Sequence, residues 1–164
     1  MAFGVGERVL RMKVAIASDH GGYGLKQEIL RLLDEKRVAH ADFGVYDGCS
    51  ADYPEYAEKA ALAVLSGDCD TGILICGTGI GISIAANKIP GIRCALCHDC
   101  ASARLTRLHN DANMLALGGR IIGAEHARAI VEAFLETPFS QDERHARRIR
   151  GIAALEKKYG KEGS

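Results

Sequence analysis

Short apolar runs of strand length alternate with segments of helical period along almost the whole chain, and this alternation constrains the fold more than any other feature. KVAIAS (13–18) reads as a buried strand. Gly21 and Gly22 then lead into YGLKQEILRLLDEK, where Leu25, Ile29, Leu32 and Leu33 form one apolar stripe. VAHADFG reads as a weaker second strand, and EYAEKAALAVLSG as a helix with Pro54 in its first turn. TGILIC (71–76) is the strongest strand, and ISIAANK is helical up to Pro90. IRCALC, DCASARLTRLHN, NMLALGG and AEHARAIVEAFLET repeat the strand–helix beat, and a basic amphipathic helix from Asp142 to Lys158 carries Ile149, Ile152 and Leu155 as apolar positions. Five strands and about five helices with short connections predict an α/β fold, a parallel sheet covered by helices on both faces.

In such folds ligands bind outside the carboxyl ends of the strands. The polar residues just after strands are therefore the candidates for chemistry: Asp19 and His20, Cys76 to Gly81, His98 and Asp99, and Gly118 to Arg120.

The 164 residues suit one domain, expected over 12–158, with residues 1–11 as an N-terminal extension and 159–164 as a tail. The 21 basic side chains balance 21 acidic ones, which disfavours nucleic acid or an anionic membrane as partner. The apolar runs are too short to span a bilayer. MAFGVGERVLR lacks the apolar core and cleavage site of a signal peptide, so a cytoplasmic location is expected.

Three of the six cysteines, Cys94, Cys97 and Cys100, form a C-x-x-C-x-x-C run that could ligate an iron–sulfur cluster or zinc. If residues 92–97 form a strand, however, Cys94 and Cys97 point to opposite faces. The expectation is small buried thiols with no metal, and no disulfide framework in a chain without an export signal.

The stretch CGTGIGIS, residues 76–83, fits neither common nucleotide loop. A dinucleotide fingerprint needs G-x-G-x-x-G in the first βα unit, whereas Gly77, Gly79 and Gly81 are spaced G-x-G-x-G in the third. Walker A needs a lysine directly after its last glycine, and Lys88 stands seven residues past Gly81. What remains is a turn whose backbone N–H groups can meet an anion or a developing oxyanion at a helix start. Cys76 is either a small apolar residue ending a buried strand or a nucleophilic thiol. N–H donors at a helix start favour the thiolate form of such a thiol. Thr78 adds a hydroxyl, and the His109-Asn110 pair in RLHND adds an imidazole. A carbanion-forming enzyme needs a base, an oxyanion hole and a proton donor, and these polar groups are expected to converge on one edge of the sheet.

RHARRIR (144–150) reads either as a solvated basic face or as an anion clamp. Arg144 and Arg148 share one helix face and could close on one phosphate, while Arg147 points away. No aromatic residues interleave the arginines, which speaks against single-stranded nucleic acid.

Five blocks in collinear order carry a family resemblance: MKVAIASDHGGYGLKQEI, DYPEYA (52–57), GILICGTGIGISIAANKIPGIR, RLHNDANMLALGGR and RHARRI. Together they resemble the type B ribose-5-phosphate isomerases, a family that also contains galactose-6-phosphate isomerase subunits. The resemblance covers about residues 12–155, and CGTGIGISIAANK is its most specific block. It implies a three-layer Rossmann-like, doubly wound fold and a metal-free, cofactor-free aldose–ketose isomerase working through a cis-enediolate. It further implies a homodimer, or a tetramer of paired dimers, in which the C-terminal helix reaches the neighbour's site.

Carried over by motif, the resemblance makes Cys76 the base that moves the proton between C2 and C1. Members without this cysteine place a glutamate where this chain has Ile80. His109 would open the furanose, and Asn110 with the N–H groups of Gly77, Gly79 and Gly81 would bind the enediolate oxygens. Thr78 would relay a proton between O1 and O2, Asp19 would grip sugar hydroxyls, and Tyr53 would close the pocket. His20, Arg120, Arg144 and Arg148 would contact the phosphate or its surroundings. The expected substrate is ribose 5-phosphate, interconverted with ribulose 5-phosphate in the pentose phosphate pathway. Allose or galactose 6-phosphate are the alternative substrates, and a non-catalytic nucleotide-binding module is the alternative from another class.

Overall fold

The structure is a computed structural model that describes residues 5–160; the first four residues of the expected extension and the last four of the expected tail lie outside the described residues. The strands are β1 (Lys13–Ser18), β2 (Ala39–Asp42), β3 (Thr71–Cys76), β4 (Cys94–Leu96) and β5 (Met114–Gly118). The helices are α1 (Val5–Leu10), α2 (Tyr23–Glu35), α3 (Tyr53–Leu65), α4 (Ile80–Ala86), α5 (Cys100–Asn110), α6 (Ala124–Glu136) and α7 (Glu143–Tyr159). All strand pairs are parallel, in the order β2-β1-β3-β5-β4. The five-stranded parallel sheet covered on both faces, expected from the alternation, is observed, as is the doubly wound order that the resemblance implies.

Each face of the sheet has its own core. On one face Val14, Ile16, Ile73, Ile75, Leu115 and Leu117 pack against Leu25, Ile29, Leu32 and Leu33 of α2 and Ile130, Val131 and Phe134 of α6. The apolar stripe read from α2 is thus its buried face, and each such side chain contributes about 1.5–3 kcal/mol. On the other face Ala15, Ala17, Leu74 and Ala116 meet Ala57, Ala60 and Ala61 of α3 and Ile82 and Ala86 of α4. Small residues on both sides let α3 and α4 lie close to the strands. β3 is buried along its whole length, which is why its sequence shows an apolar run and no alternation.

The helix count needs correction: the described residues hold seven helices, including α1 within the expected extension. α1 packs on α6, where Val9 enters the core and the Arg8 guanidinium donates to the Leu135 carbonyl at 2.7 Å. β4 is also shorter than expected, because an edge strand has only one neighbour to bond. Cys94 and Cys97 nevertheless join the cores on opposite faces, as the strand reading required. Burial pushes the Cys94 thiol up to about 12.

One buried charge lay outside the apolar pattern. Lys26 of α2 is fully buried and donates to both Asp42 carboxylate oxygens at 2.6 and 2.7 Å and to the Val45 carbonyl at 2.7 Å. This ties α2 to the end of β2 and to the loop beyond it. That loop in turn pairs with the end of β1, through Ser18 N–H to Gly44 O and Val45 N–H to Ser18 O.

Candidate active site

The strand order reverses between β1 and β3, so the loops leaving these strands diverge and open a crevice at their carboxyl ends. Asp19 and Cys76 flank that crevice. Asp19 donates its N–H to Ile75 O at 3.2 Å, and its buried carboxylate accepts from Gly22 N–H at 3.0 Å. The loop after β5 closes the far side: Gly119 N–H donates to Cys76 O at 2.8 Å, and Arg120 N–H to Gly77 O at 2.9 Å.

At the centre, Gly79 N–H donates to the Cys76 sulphur at 3.1 Å. A donor therefore sits where negative charge would develop once the thiol gave up its proton. Gly79 can turn this way because its φ is +77°, and any side chain there would start 2.8 Å from the Leu117 carbonyl carbon. The Gly79 N–H, expected to face an enediolate oxygen, is engaged here by the Cys76 thiol. Gly81, second residue of α4, retains an N–H that the helical ladder leaves without an acceptor. A Cβ there would stand 2.7 Å from the Tyr53 ring, so a larger residue would push that ring aside. Tyr53 at the start of α3 thus leans directly on the glycine loop.

Thr78 is exposed, and its hydroxyl oxygen accepts from Ile80 N–H at 3.2 Å, leaving its own proton to donate. The Arg120 guanidinium lies over Gly77, with Nη1 3.4 Å from where a side chain would begin. His20 is exposed beside the loop before α3, where its Nδ1 accepts from Ala51 N–H at 3.3 Å. Asp19, His20, Tyr53, Cys76, Gly77, Thr78, Gly79, Gly81 and Arg120 accordingly gather at the carboxyl edge of the sheet. His98 and Asp99, also flagged by position after a strand, have structural roles: Asp99 caps α5 by accepting from Ser102 N–H at 2.8 Å, and the His98 carbonyl contacts His126 Nε2.

His109 and Asn110 do not join them. They end α5, which runs antiparallel to the strands and returns the chain to the start of β5. The Asn110 carbonyl accepts from Arg93 Nε at 3.0 Å, just before β4 begins. Cys76 pairs with Gly118 at one end of β5, whereas His109 lies beyond Met114 at the other. Five strand residues put roughly 13 Å of sheet between these two ends. The expected convergence on one edge is thus incorrect for a single chain, because a helix between parallel strands delivers its last residues to the opposite edge.

A second cluster forms around His109. α7 packs on α5, and the His145 and His109 rings stack with centroids 4.3 Å apart and planes 11° from parallel. Arg144 and Arg148 are exposed on the same helix, with Arg144 Nε 3.0 Å from Asp142. Burial, followed by the nearby charges of His109 and Arg144, pushes the His145 imidazole below its ordinary value. His145 escaped the sequence reading, since nothing in RHARRI separates a stacked histidine from a solvated one. Farther along α7, Ile152 and Leu155 border a groove of about 380 Å³ with Ile92, Cys94 and Ala95. Among the described residues no group of three His, Cys, Asp or Glu side chains is arranged to hold a metal ion.

Known proteins align with this chain over its whole domain. The ribose/galactose isomerase family model matches residues 14–152. Ribose-5-phosphate isomerase B of Escherichia coli is 48% identical over 146 residues, covering 89% of this chain and 97% of that protein. The structure of Clostridium thermocellum ribose-5-phosphate isomerase B superposes with a TM-score of 0.89 at 52% identity, covering 91% of this chain and 100% of that one. A Mycoplasma genitalium ribose-5-phosphate isomerase B structure with bound ribulose 5-phosphate gives a TM-score of 0.84 at 40% identity, over 90% and 98% of the two chains. Sequence and fold agree over the same span, and the chain belongs to the ribose/galactose isomerase family.

Proposed function

We propose that this protein interconverts ribose 5-phosphate and ribulose 5-phosphate, in sites that two copies of the chain build together. The observation that carries the chemistry is the Cys76 sulphur at the strand crossover, held by the Gly79 N–H. Relatives named ribose-5-phosphate isomerase B over nearly their whole length support the substrate.

In this reading His109 protonates the ring oxygen and frees the aldehyde. The Cys76 thiolate then takes the proton from C2, and the negative charge moves onto O1 of a cis-enediolate. The N–H groups of Gly77 and Gly81 and the Asn110 amide hold the two oxygens; removing one such donor typically slows a reaction about 10²–10³-fold. Thr78 passes a proton between O1 and O2, and the thiol returns its proton to C1 to give the ketose. Asp19 holds sugar hydroxyls, and Tyr53 covers the pocket. The phosphate lies among His20, Arg120, Arg144 and Arg148.

The composite site follows from the separation of the two clusters. One chain presents Cys76 at one sheet edge and His109, Asn110, Arg144 and Arg148 at the other, so a two-fold partner supplies what each edge lacks. The exposed Ile152 and Leu155 of α7 are the apolar surface that such a partner covers. The working unit is a cytoplasmic homodimer, alone or paired into a tetramer. Initial rates on ribose 5-phosphate, allose 6-phosphate and galactose 6-phosphate, measured side by side, test the substrate. The pentose is expected to give the highest kcat/KM, and preference for a hexose phosphate would overturn the assignment.

A further inference from the structure

We infer that His145 is a positioning residue for His109, a flat neutral platform that fixes the orientation of the His109 ring. The inference rests on the ring-opening role proposed above for His109. The two rings are nearly parallel at 4.3 Å, and His145 is buried while His109 is only partly so. A second positive charge stacked at that distance would be repelled, so a neutral His145 suits a close stack.

The surroundings disfavour charge on His145. His145 faces His109 from α5, Arg144 and Arg148 from its own helix, and Asp142 at the N-cap. Its backbone N–H donates to Asp142 O, placing it in the first turn of α7, where the helix dipole also disfavours a cation. Only Asp142 favours charge on His145, and its carboxylate is engaged by Arg144 Nε at 3.0 Å and by the Arg144 N–H. Burial comes on top of these effects. These surroundings therefore favour the neutral form of His145. The stack also fastens His109 to the helix carrying Arg144 and Arg148, so the acid and the phosphate clamp keep one geometry.

The test compares His145→Phe and His145→Ala, each alone and combined with His109→Asn, in initial rates from both sugars. Phenylalanine restores a flat neutral ring, so His145→Phe should keep aldose turnover within about 3-fold of wild type. His145→Ala should slow ribose 5-phosphate turnover by about 10-fold with KM changed by less than about 2-fold, and spare ribulose 5-phosphate. With His109→Asn present, the change at position 145 should have no further effect. Equal losses from both sugars with raised KM, persisting beside His109→Asn, would show a merely structural residue and overturn the proposal.

Nitrogen-15 spectra of the imidazoles, with and without inorganic phosphate, give a readout independent of turnover. His145 is expected to be neutral at pH 7, and a charged His145 there overturns the proposal whatever the kinetics. Should His109→Asn slow both directions equally, the ring-opening role falls, while the spectra still decide whether His145 is the neutral partner. Stability adds a further readout. The folded value lies below the unfolded one, near 6.5, so the unfolded chain binds more protons in acid. The stabilisation is complete above about pH 6.5 and is lost as pH falls below it, so wild type should lose more Tm than His145→Phe between pH 7 and pH 5.

Discussion

The Cys76 sulphur accepts the Gly79 N–H at 3.1 Å, in a turn that only glycine can make with φ at +77°. The thiol and its donor are neighbours on one short loop, so their geometry is set by the backbone and does not await substrate. Such preorganisation lets a donor act without rearrangement during the reaction.

Removing the thiol should therefore separate chemistry from binding. Cys76→Ala is expected to lower kcat by at least about 10³-fold while sugar-phosphate affinity changes by less than about 5-fold, because the base goes and the clamp stays. Calorimetric titration beside the rate assay checks both parts. Cys97→Ala and Cys100→Ala are expected to keep near-normal kcat, since neither thiol has a role in this mechanism. Wild-type turnover in Cys76→Ala would end the thiolate mechanism.

His109→Asn should act on one direction of the reaction. Ribose 5-phosphate closes into a furanose that must open, whereas ribulose 5-phosphate cannot close into the same ring. The variant is expected to slow aldose turnover by about 10²-fold and ketose turnover far less, as a lost general acid would. Equal losses in the two initial rates would instead point to enediolate stabilisation.

The buried Lys26–Asp42 pair yields a stability prediction with a built-in asymmetry. The Lys26 side chain is 0% exposed and that of Asp42 24%. Asp42→Ala leaves a buried ammonium whose remaining hydrogen bond is to the Val45 carbonyl, with the Tyr23 and Tyr46 rings nearby, and should destabilise by about 3 kcal/mol. Lys26→Met leaves a carboxylate that water can reach and should cost clearly less. Urea unfolding of both variants checks the order.

The parallel sheet was legible because strand-length apolar runs and helical stripes alternate without a gap. Cys76 and its glycine loop were legible from their place after the strongest strand. Lys26 was not, since an apolar stripe says nothing about a lysine whose stem enters the core and whose charge finds a carboxylate from another strand. α1 was missed because MAFGVGERVLR is too short to show a period. The separation of His109 from Cys76 was implied by the alternation itself, for a residue ending a helix between parallel strands arrives at the opposite edge. The motif pattern groups these residues by chemistry and so hides that distance.

The central claim is that each site takes its base from one copy and its acid and clamp from another. Cys76→Ala and Arg148→Ala homodimers should each be nearly inactive, the second mainly through a raised KM. Dissociating, mixing and re-forming the two proteins creates heterodimers in which one site joins an intact Cys76 to an intact Arg148. The account predicts that activity reappears, up to one working site per heterodimer. Verified heterodimer with no recovered activity would place base and clamp on the same chain and contradict it.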